Sequence, residues 1–301
     1  MKIHVNIINK IVEKVILGQN YRIEIQNLIN AEFLEYVVTF FQKVAEAKIK
    51  NKTIDIQWYK DVFLSINNTT DEIAIYSGLN KKSITNMYGS AKKQVVIDVA
   101  NEHFNSLFAL INELSSNNEN IDLELNIRFR GISVHLNINE SLLVINTIAV
   151  KRAAIRGSLW SSLGKNVEKK LMIVICKIFS ISKHHYNIRN IDTREVDFYF
   201  IGKNKKYKCE IKLMGKGNPE SADAVIARSS DIFIADTLSD LNKRQLESLD
   251  ISWIELNTKN GYLKFNDVFG KIKIPHIPIL SITSIQIQKI LSNVDNEKTT
   301  I

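Results

Sequence analysis

The chain has 301 residues, with 40 Lys and Arg against 32 Asp and Glu, a formal net charge of +8 and a pI near 9.2. Hydrophobic residues at 45% and charged residues at 24% are the values of a globular protein of one or two domains, and they exclude a largely disordered chain. The basic excess hints at a polyanionic partner such as nucleic acid, a hint with force only if the positive residues are organised.

The first 115 or so residues read as helical. Phe33, Leu34, Val37, Val38, Phe41 and Val44 recur at helical spacing after an N-cap at Asn30. A second helical pattern runs through Val95, Val99, Phe104, Leu107, Phe108, Ile111 and Leu114 and stops at the polar stretch 115–120. The period then changes. Leu123, Leu125, Ile127 and Phe129, and again Ile132, Val134, Leu136 and Ile138, alternate with polar residues around Arg130-Gly131, which predicts a β-hairpin.

A helix opens at Asn139 and ends in the basic stretch 151–157, and a separate helix is expected over 165–179. Strands over 196–201, 207–213, 231–235 and 252–256 interleave with helices over 219–228 and 239–249, which indicates an α/β layer architecture. The tail from 283 onward is short, polar at its end and reads as frayed there. The expected organisation is a mainly helical region over 1–155, an α/β domain over 156–282 and a tail over 283–301.

No apolar run approaches the ~20 residues of a membrane helix, since Leu171 and Cys176 bound a short run flanked by Lys170 and Lys177. The first ten residues are too polar for a signal peptide. Cys176 and Cys209 show no CxxC spacing, which suits a reducing cytoplasm and points to neither zinc nor a disulfide scaffold. The sequence gives no Walker A loop and no dinucleotide-binding fingerprint.

Residues 70–89 carry the pattern of a helix-turn-helix. Ala74 precedes Gly78 by four residues and Ile84 follows it by six, with Ile73, Leu79 and Met87 at the remaining apolar positions. A small Ala lets the two helices approach, and Gly takes the turn. Lys81, Lys82, Ser83, Thr85, Asn86 and Tyr88 would then lie on the second helix as candidates for phosphate and base contacts. An ordinary helix corner with solvated lysines would carry the same pattern. Lys151, Arg152 and Arg156 form a second basic face of the same ambiguous kind.

The strongest chemistry lies in 194–228. Glu195, Asp197 and Tyr199 share one face of a strand, and Glu210 and Lys212 share one face of the next. Paired antiparallel through the turn 202–206, the two strands would bring Asp197 beside Glu210 and Lys212. Two carboxylates with a lysine two residues on suit a hard divalent cation such as Mg²⁺, with Lys212 orienting the attacking water. Glu168, early in the preceding helix, is a third acid that could reach the metal or simply favour the helix N-terminus. In the loop 214–220, Lys216 stands between two glycines ahead of a helix start, an arrangement suited to a DNA phosphate and equally to a plain turn.

Gly164 and Glu168, then Val196-Asp197, then Glu210-Ile211-Lys212, follow the order of the PD-(D/E)xK nuclease core found in type II restriction endonucleases, which the C-terminal half resembles. Val196 stands where that motif has Pro, and Glu195 competes with Asp197 for the acidic role. The resemblance implies Mg²⁺-dependent hydrolysis of DNA phosphodiesters to 5′-phosphate and 3′-hydroxyl ends, with Asp197 and Glu210 as metal ligands, Lys212 as the water-orienting lysine and Glu168 as a supporting acid. The segments SGLNKKSITNMYGSAKK, RAAIRG with GKNVEK, and EIKLMGKGNPESADAVIAR are similar to restriction endonucleases of the CfrBI type, which cut a short palindrome with A/T pairs at its centre. Cutting both strands of a palindrome calls for a homodimer, and protection of host DNA implies a cognate DNA methyltransferase as genetic partner. The rival readings are a helix-turn-helix regulator without nuclease activity and a repair or recombination nuclease that reads DNA structure.

Overall fold

The structure, a computed structural model, describes residues 2–76, 78–117, 123–188, 198–203, 205–213 and 229–299. The chain forms two compact units, one of Asn27–Leu159 and one of Met1–Gln26 with Trp160–Ile301. It passes between them inside two long helices, α2 (Arg22–Ile49) and α7 (Ile138–Ile178).

The unit Asn27–Leu159 is helical with one β-ribbon. Besides its share of α2 and α7 it contains α3 (Ile56–Phe63), α4 (Thr70–Tyr76), α5 (Lys81–Tyr88), α6 (Lys93–Asn117), β1 (Leu125–Phe129) and β2 (Ile132–Leu136). Side-chain caps start these helices by satisfying backbone donors that the first turn leaves open. Asp55 accepts from the Trp58 amide at 2.8 Å and Asn80 from the Ser83 amide at 2.9 Å. Thr69 and Glu72 form a reciprocal capping box ahead of α4. The core is aromatic. The Phe63 ring centre lies 4.1 Å from that of Tyr76 and 4.4 Å from that of Tyr59, both tilted, and Tyr59 lies 4.5 Å from Phe104.

In α2 the structure departs from the periodicity reading. The helix begins at Arg22, so Asn30 is interior to it. Its core face is carried by Ile25, Leu28, Phe40 and Val44, while Leu34 and Val38 are exposed. Two overlapping apolar stripes run along α2, and only tertiary packing selects between them.

In the other unit, α1 (Lys2–Ile16), the second half of α7, α8 (Asp240–Ser248), α9 (Lys264–Lys271) and α10 (Ser284–Thr299) accompany a five-stranded sheet. Its strands are β3 (Tyr186–Asn187), β4 (Phe198–Ile201), β5 (Lys206–Lys212), β6 (Ile232–Ala235) and β7 (Ser252–Glu255), in that spatial order. β3, β4 and β5 run antiparallel, and β5, β6 and β7 run parallel. Phe198 and Phe200 face α9 and the end of α7, where Phe200 meets Phe269 at 5.1 Å and Phe179 meets Phe269 at 5.4 Å. On the other face Phe233 and Ala235 pack with Leu246 of α8. Helices on both faces of a mixed sheet make a three-layer α/β arrangement.

Helix α7 runs without interruption through the region where the sequence suggests a break. Gly157 and Gly164 lie inside it, each costing about 1 kcal/mol relative to Ala. Leu159, Leu163, Val167 and Leu171 keep a buried stripe running past them. The segment set apart as a tail is α10, which buries Ile287, Leu291 and Val294 at helical spacing. Its Asp295 accepts from Asn9 at 2.9 Å and pairs with Lys170, and Gln288 donates to Glu13 at 3.0 Å. The first helix therefore belongs with the sheet rather than with the helical region. Gly18 ends α1 at φ +66, and a Cβ there would lie 2.5 Å from the Thr258 carbonyl oxygen, so only glycine permits this approach to the loop after β7.

Glu140 is the main buried ion in the helical unit. It is 3% exposed and accepts from Lys48 Nζ at 2.9 and 3.0 Å, the Ile54 amide at 2.9 Å and the Asn137 amide at 3.0 Å. Asn137 returns the bond to the Glu140 amide, which completes a capping box at the start of α7. Glu140→Ala strands Lys48 and two amides, and is expected to destabilise the protein by about 3 kcal/mol in urea denaturation.

Candidate active site

β5 is the central strand of the sheet, and its C-terminal end gathers the candidate chemistry. Glu210 is fully buried, in register with Phe233 of β6, and Phe233 with Trp253 of β7. A buried carboxylate demands compensation, and part of it comes from Lys212 Nζ, 3.2 Å from Glu210 Oε1. The two side chains share a face because they are two residues apart on a strand. Lys212 retains 27% exposure, so the pair lies at the boundary between the core and solvent. α7 delivers Glu168 to the same strand end, where its Oε1 accepts from the Leu213 amide at 3.4 Å. Three of the four residues expected to act together are thus assembled at one strand terminus. The fourth, Asp197, lies outside the described residues, as do Glu195 and Lys216.

A neighbouring group was missed by sequence reasoning. Asp236 follows β6 directly and is 1% exposed. Its Oδ2 accepts from the Tyr21 hydroxyl at 2.9 Å and from Arg22 Nη2 at 2.6 Å, and its Oδ1 from the Thr237 amide at 2.9 Å. Burial pushes the Tyr21 hydroxyl pKa up, the Asp236 carboxylate adds to this, and Glu168 contributes a smaller rise. Asp236 lies one residue past Ala235, the register partner of Lys212, and so at the same end of the sheet. The available signal was an Asp immediately after an apolar strand, at the carboxyl end where α/β sheets present their functional groups. Nothing in the sequence pointed from there to residues 21 and 22.

Elsewhere, α5 carries all six residues assigned to the second helix of the helix-turn-helix. Gly78 takes φ +73 in the turn, and Ala74 and Ile84 are buried as that pattern requires. Met87 departs from it, being 64% exposed. Lys81 pairs with Asp71 at 2.9 Å. The Thr85 hydroxyl donates to the Lys81 carbonyl, and Ser83 bonds Asn80. Lys82, Asn86 and Tyr88 are exposed. On α7, Arg156 is exposed and Arg152 lies over the Phe33 ring at 5.2 Å. Lys151 lies over Tyr36 at 5.1 Å and Tyr76 at 5.8 Å, and burial pulls its pKa down against the opposing influence of Glu72 and Glu32. Its charge is spent on the aromatic core of its own unit.

A sequence model described as CfrBI restriction endonuclease matches residues 5–243, most of the chain. The chain belongs to the CfrBI restriction endonuclease family. No curated protein and no solved structure matches it. The matched span holds Glu168, Glu210, Lys212, α5 and the β-ribbon, and membership of the CfrBI family identifies a restriction endonuclease, a nuclease whose substrate is DNA. The α/β layering around β5 is compatible with a nuclease fold. No helix among the described residues is long and apolar enough to cross a membrane.

Among the described residues no group of three or more His, Cys, Asp or Glu forms a metal cluster. Glu168 and Glu210 nevertheless supply the hard oxygen donors that Mg²⁺ takes, and this ion commonly uses one or two carboxylates together with water and substrate phosphate. The donor chemistry of the site fits such an ion.

Asp236→Ala would leave the Tyr21 hydroxyl and the Arg22 guanidinium without their buried acceptor, at a cost of about 3 kcal/mol, whereas Tyr21→Phe removes one hydrogen bond at about 1 kcal/mol. Urea denaturation of the two variants should give stabilities in that order.

Proposed function

We propose that this chain is a type II restriction endonuclease with a PD-(D/E)xK core, hydrolysing phosphodiester bonds of duplex DNA at a short palindrome with Mg²⁺ and leaving 5′-phosphate ends. The observation that supports this best is the buried Glu210 with Lys212 two residues on, at the end of the central strand, with Glu168 beside them. A solvated hairpin face would not bury its glutamate.

In this reading Asp197 and Glu210 would hold the metal, with Glu168 as a supporting acid. Mg²⁺ supplies polarisation of the scissile phosphate and acidification of the attacking water. Lys212 orients that water by hydrogen bonding and offsets the negative charge that grows on the phosphate. Lys81, Lys82, Ser83, Thr85, Asn86 and Tyr88 on α5, Arg152 and Arg156 on α7, and Lys216 contact DNA, the lysines and arginines chiefly through phosphates. The unit built around the sheet cuts, and most recognition comes from the helical unit Asn27–Leu159. Two chains related by a twofold axis present one site to each strand, and a DNA methyltransferase of the same specificity protects the host. The protein works in the cytoplasm.

Incubation of the purified protein with unmethylated phage or plasmid DNA containing the site should give discrete bands with Mg²⁺ and none with EDTA. Glu210→Ala and Lys212→Ala should each slow cutting by at least about 100-fold while leaving DNA binding measurable by gel shift. Binding without cutting by the wild type would favour a DNA-binding regulator. Cutting confined to branched or damaged DNA would favour a repair nuclease.

A further inference from the structure

The β-ribbon of β1 and β2 has a role that the α5 assignment leaves out. Its two strands pair antiparallel, Asn126 opposite His135 and Arg128 opposite Ser133, and all four of these side chains are exposed on one face. The opposite face is anchored. Val134 is 7% exposed and Leu136 fully buried, and Leu125 and Ile127 pack against the aromatic core of the helical unit. The ribbon is therefore held rigidly from beneath and presents two cross-strand polar pairs outward.

Three features of that outward face converge on duplex DNA. Within the ribbon itself, from Leu125 to Leu136, there is no acidic residue while Arg128 and Arg130 are present, with Glu124 just before it, so the charge of the ribbon suits a polyanion. The residue types are those that read base edges: arginine offers a bidentate fork to guanine, asparagine to adenine, and serine serves either. The dimensions also match. Same-face residues on a strand repeat every ~6.6–6.8 Å, about two base-pair rises of ~3.4 Å, and the major groove admits a two-stranded ribbon. At the tip, Arg130 adopts φ +50 beside Gly131 at φ +82, the left-handed pair of a two-residue hairpin turn. Arg130 there lies over the Phe129 ring at 5.0 Å.

On α5, by contrast, Lys81 is paired with Asp71, and Ser83 and Thr85 bond to neighbours on their own helix or its cap. Lys82, Asn86 and Tyr88 remain exposed to meet phosphates, and the ribbon has the fuller set of base-reading groups.

We propose that the β1–β2 ribbon enters the major groove of duplex DNA, with Asn126, Arg128, Ser133 and His135 as base-contacting, specificity-determining residues and Arg130 on a flanking phosphate. This rests on the restriction-endonuclease reading for its ligand, but its test does not require cleavage. The full-length protein is used to select bound duplexes from a random-sequence DNA library, with Ca²⁺ in place of Mg²⁺, and the selected sequences are compared among variants. The wild type should enrich a defined sequence. Arg128→Ala should lose base preference at one symmetry-related position, with discrimination there falling about 10-fold or more. Arg128→Lys keeps the charge but not the fork, and should show the same loss of preference with most of the total affinity retained. Arg130→Ala should weaken binding to all sequences alike and lower the salt slope of log K by about one. Arg244→Ala, an exposed arginine on α8, is the charge-matched control and should change nothing.

An unchanged selected sequence and affinity in the Asn126, Arg128, Ser133 and His135 alanine variants, with thermal melts matching the wild type, would overturn the proposal. So would failure of the wild type to enrich any sequence. A wild type that selects a sequence through the ribbon yet never cuts DNA with Mg²⁺ would overturn the nuclease reading and leave this one standing.

Discussion

A carboxylate with no solvent exposure in the middle strand of a five-stranded sheet is the constraint around which the rest of this unit is arranged. Taking one ion out of water costs several kcal/mol even after relaxation, and a lysine two residues away repays only part of it. An apolar residue at position 210, between the fully buried Cys209 and Ile211, would satisfy the packing of β5 at lower cost. A glutamate there runs against the preference of the core, the kind of local departure that the proposed chemistry of Glu210 accounts for. The arrangement also requires β5 to be central: β4 covers one side by antiparallel pairing and β6 the other by parallel pairing, so no edge lets water reach Glu210 laterally.

The switch from antiparallel to parallel at β5 decides which side chains gather at one end of the sheet. β5, β6 and β7 all point their carboxyl termini the same way, and side chains just past those termini become neighbours without being close in sequence. Lys212 ends β5, Asp236 follows β6 and Glu255 ends β7. Glu168 joins them because α7 runs on without a break, and Tyr21 and Arg22 join because the turn between α1 and α2 is fixed to Asp236. One buried carboxylate thus ties the amino-terminal helix to the edge where Glu168 and Lys212 stand. The loss of Gly18 conformational freedom or of the α10 packing would loosen the same corner.

How much of this could be read from the sequence depended on the range of the determining interaction. The ribbon β1–β2, the strands β5, β6 and β7, helix α5 and the pair Glu210–Lys212 were legible because each is set by alternation, turn residues and caps within a few positions. The start of α2 was not, since Asn30 looks like a cap only until Phe40 and Val44 are known to choose the buried stripe. The continuity of α7 was hidden by Gly157 and Gly164, whose cost is met by long-range burial of Leu163, Val167 and Leu171. Lys151 looked like part of a basic surface because sequence reports charge and not what the charge rests on. Two tyrosine rings from other helices hold it. The Tyr21–Arg22–Asp236 group, spanning more than two hundred residues, had no local signature.

The same distinction refines what the net charge of +8 means. Cations that are paired or stacked, such as Lys48 on Glu140, Lys81 on Asp71 and Lys151 on its tyrosines, do little for a polyanion. Others remain outward, among them Lys82, Arg128 and Arg156, and their neighbours decide their use. An outward cation on a helix among flexible side chains gives affinity that falls with salt and carries no sequence information. An outward cation on a ribbon anchored from beneath, facing a serine across the strand, has its backbone position fixed relative to the asparagine and histidine one step along. For a restriction endonuclease that second kind of placement is the more demanding requirement, because every genome offers a vast excess of wrong sites and only geometry separates them from the right one.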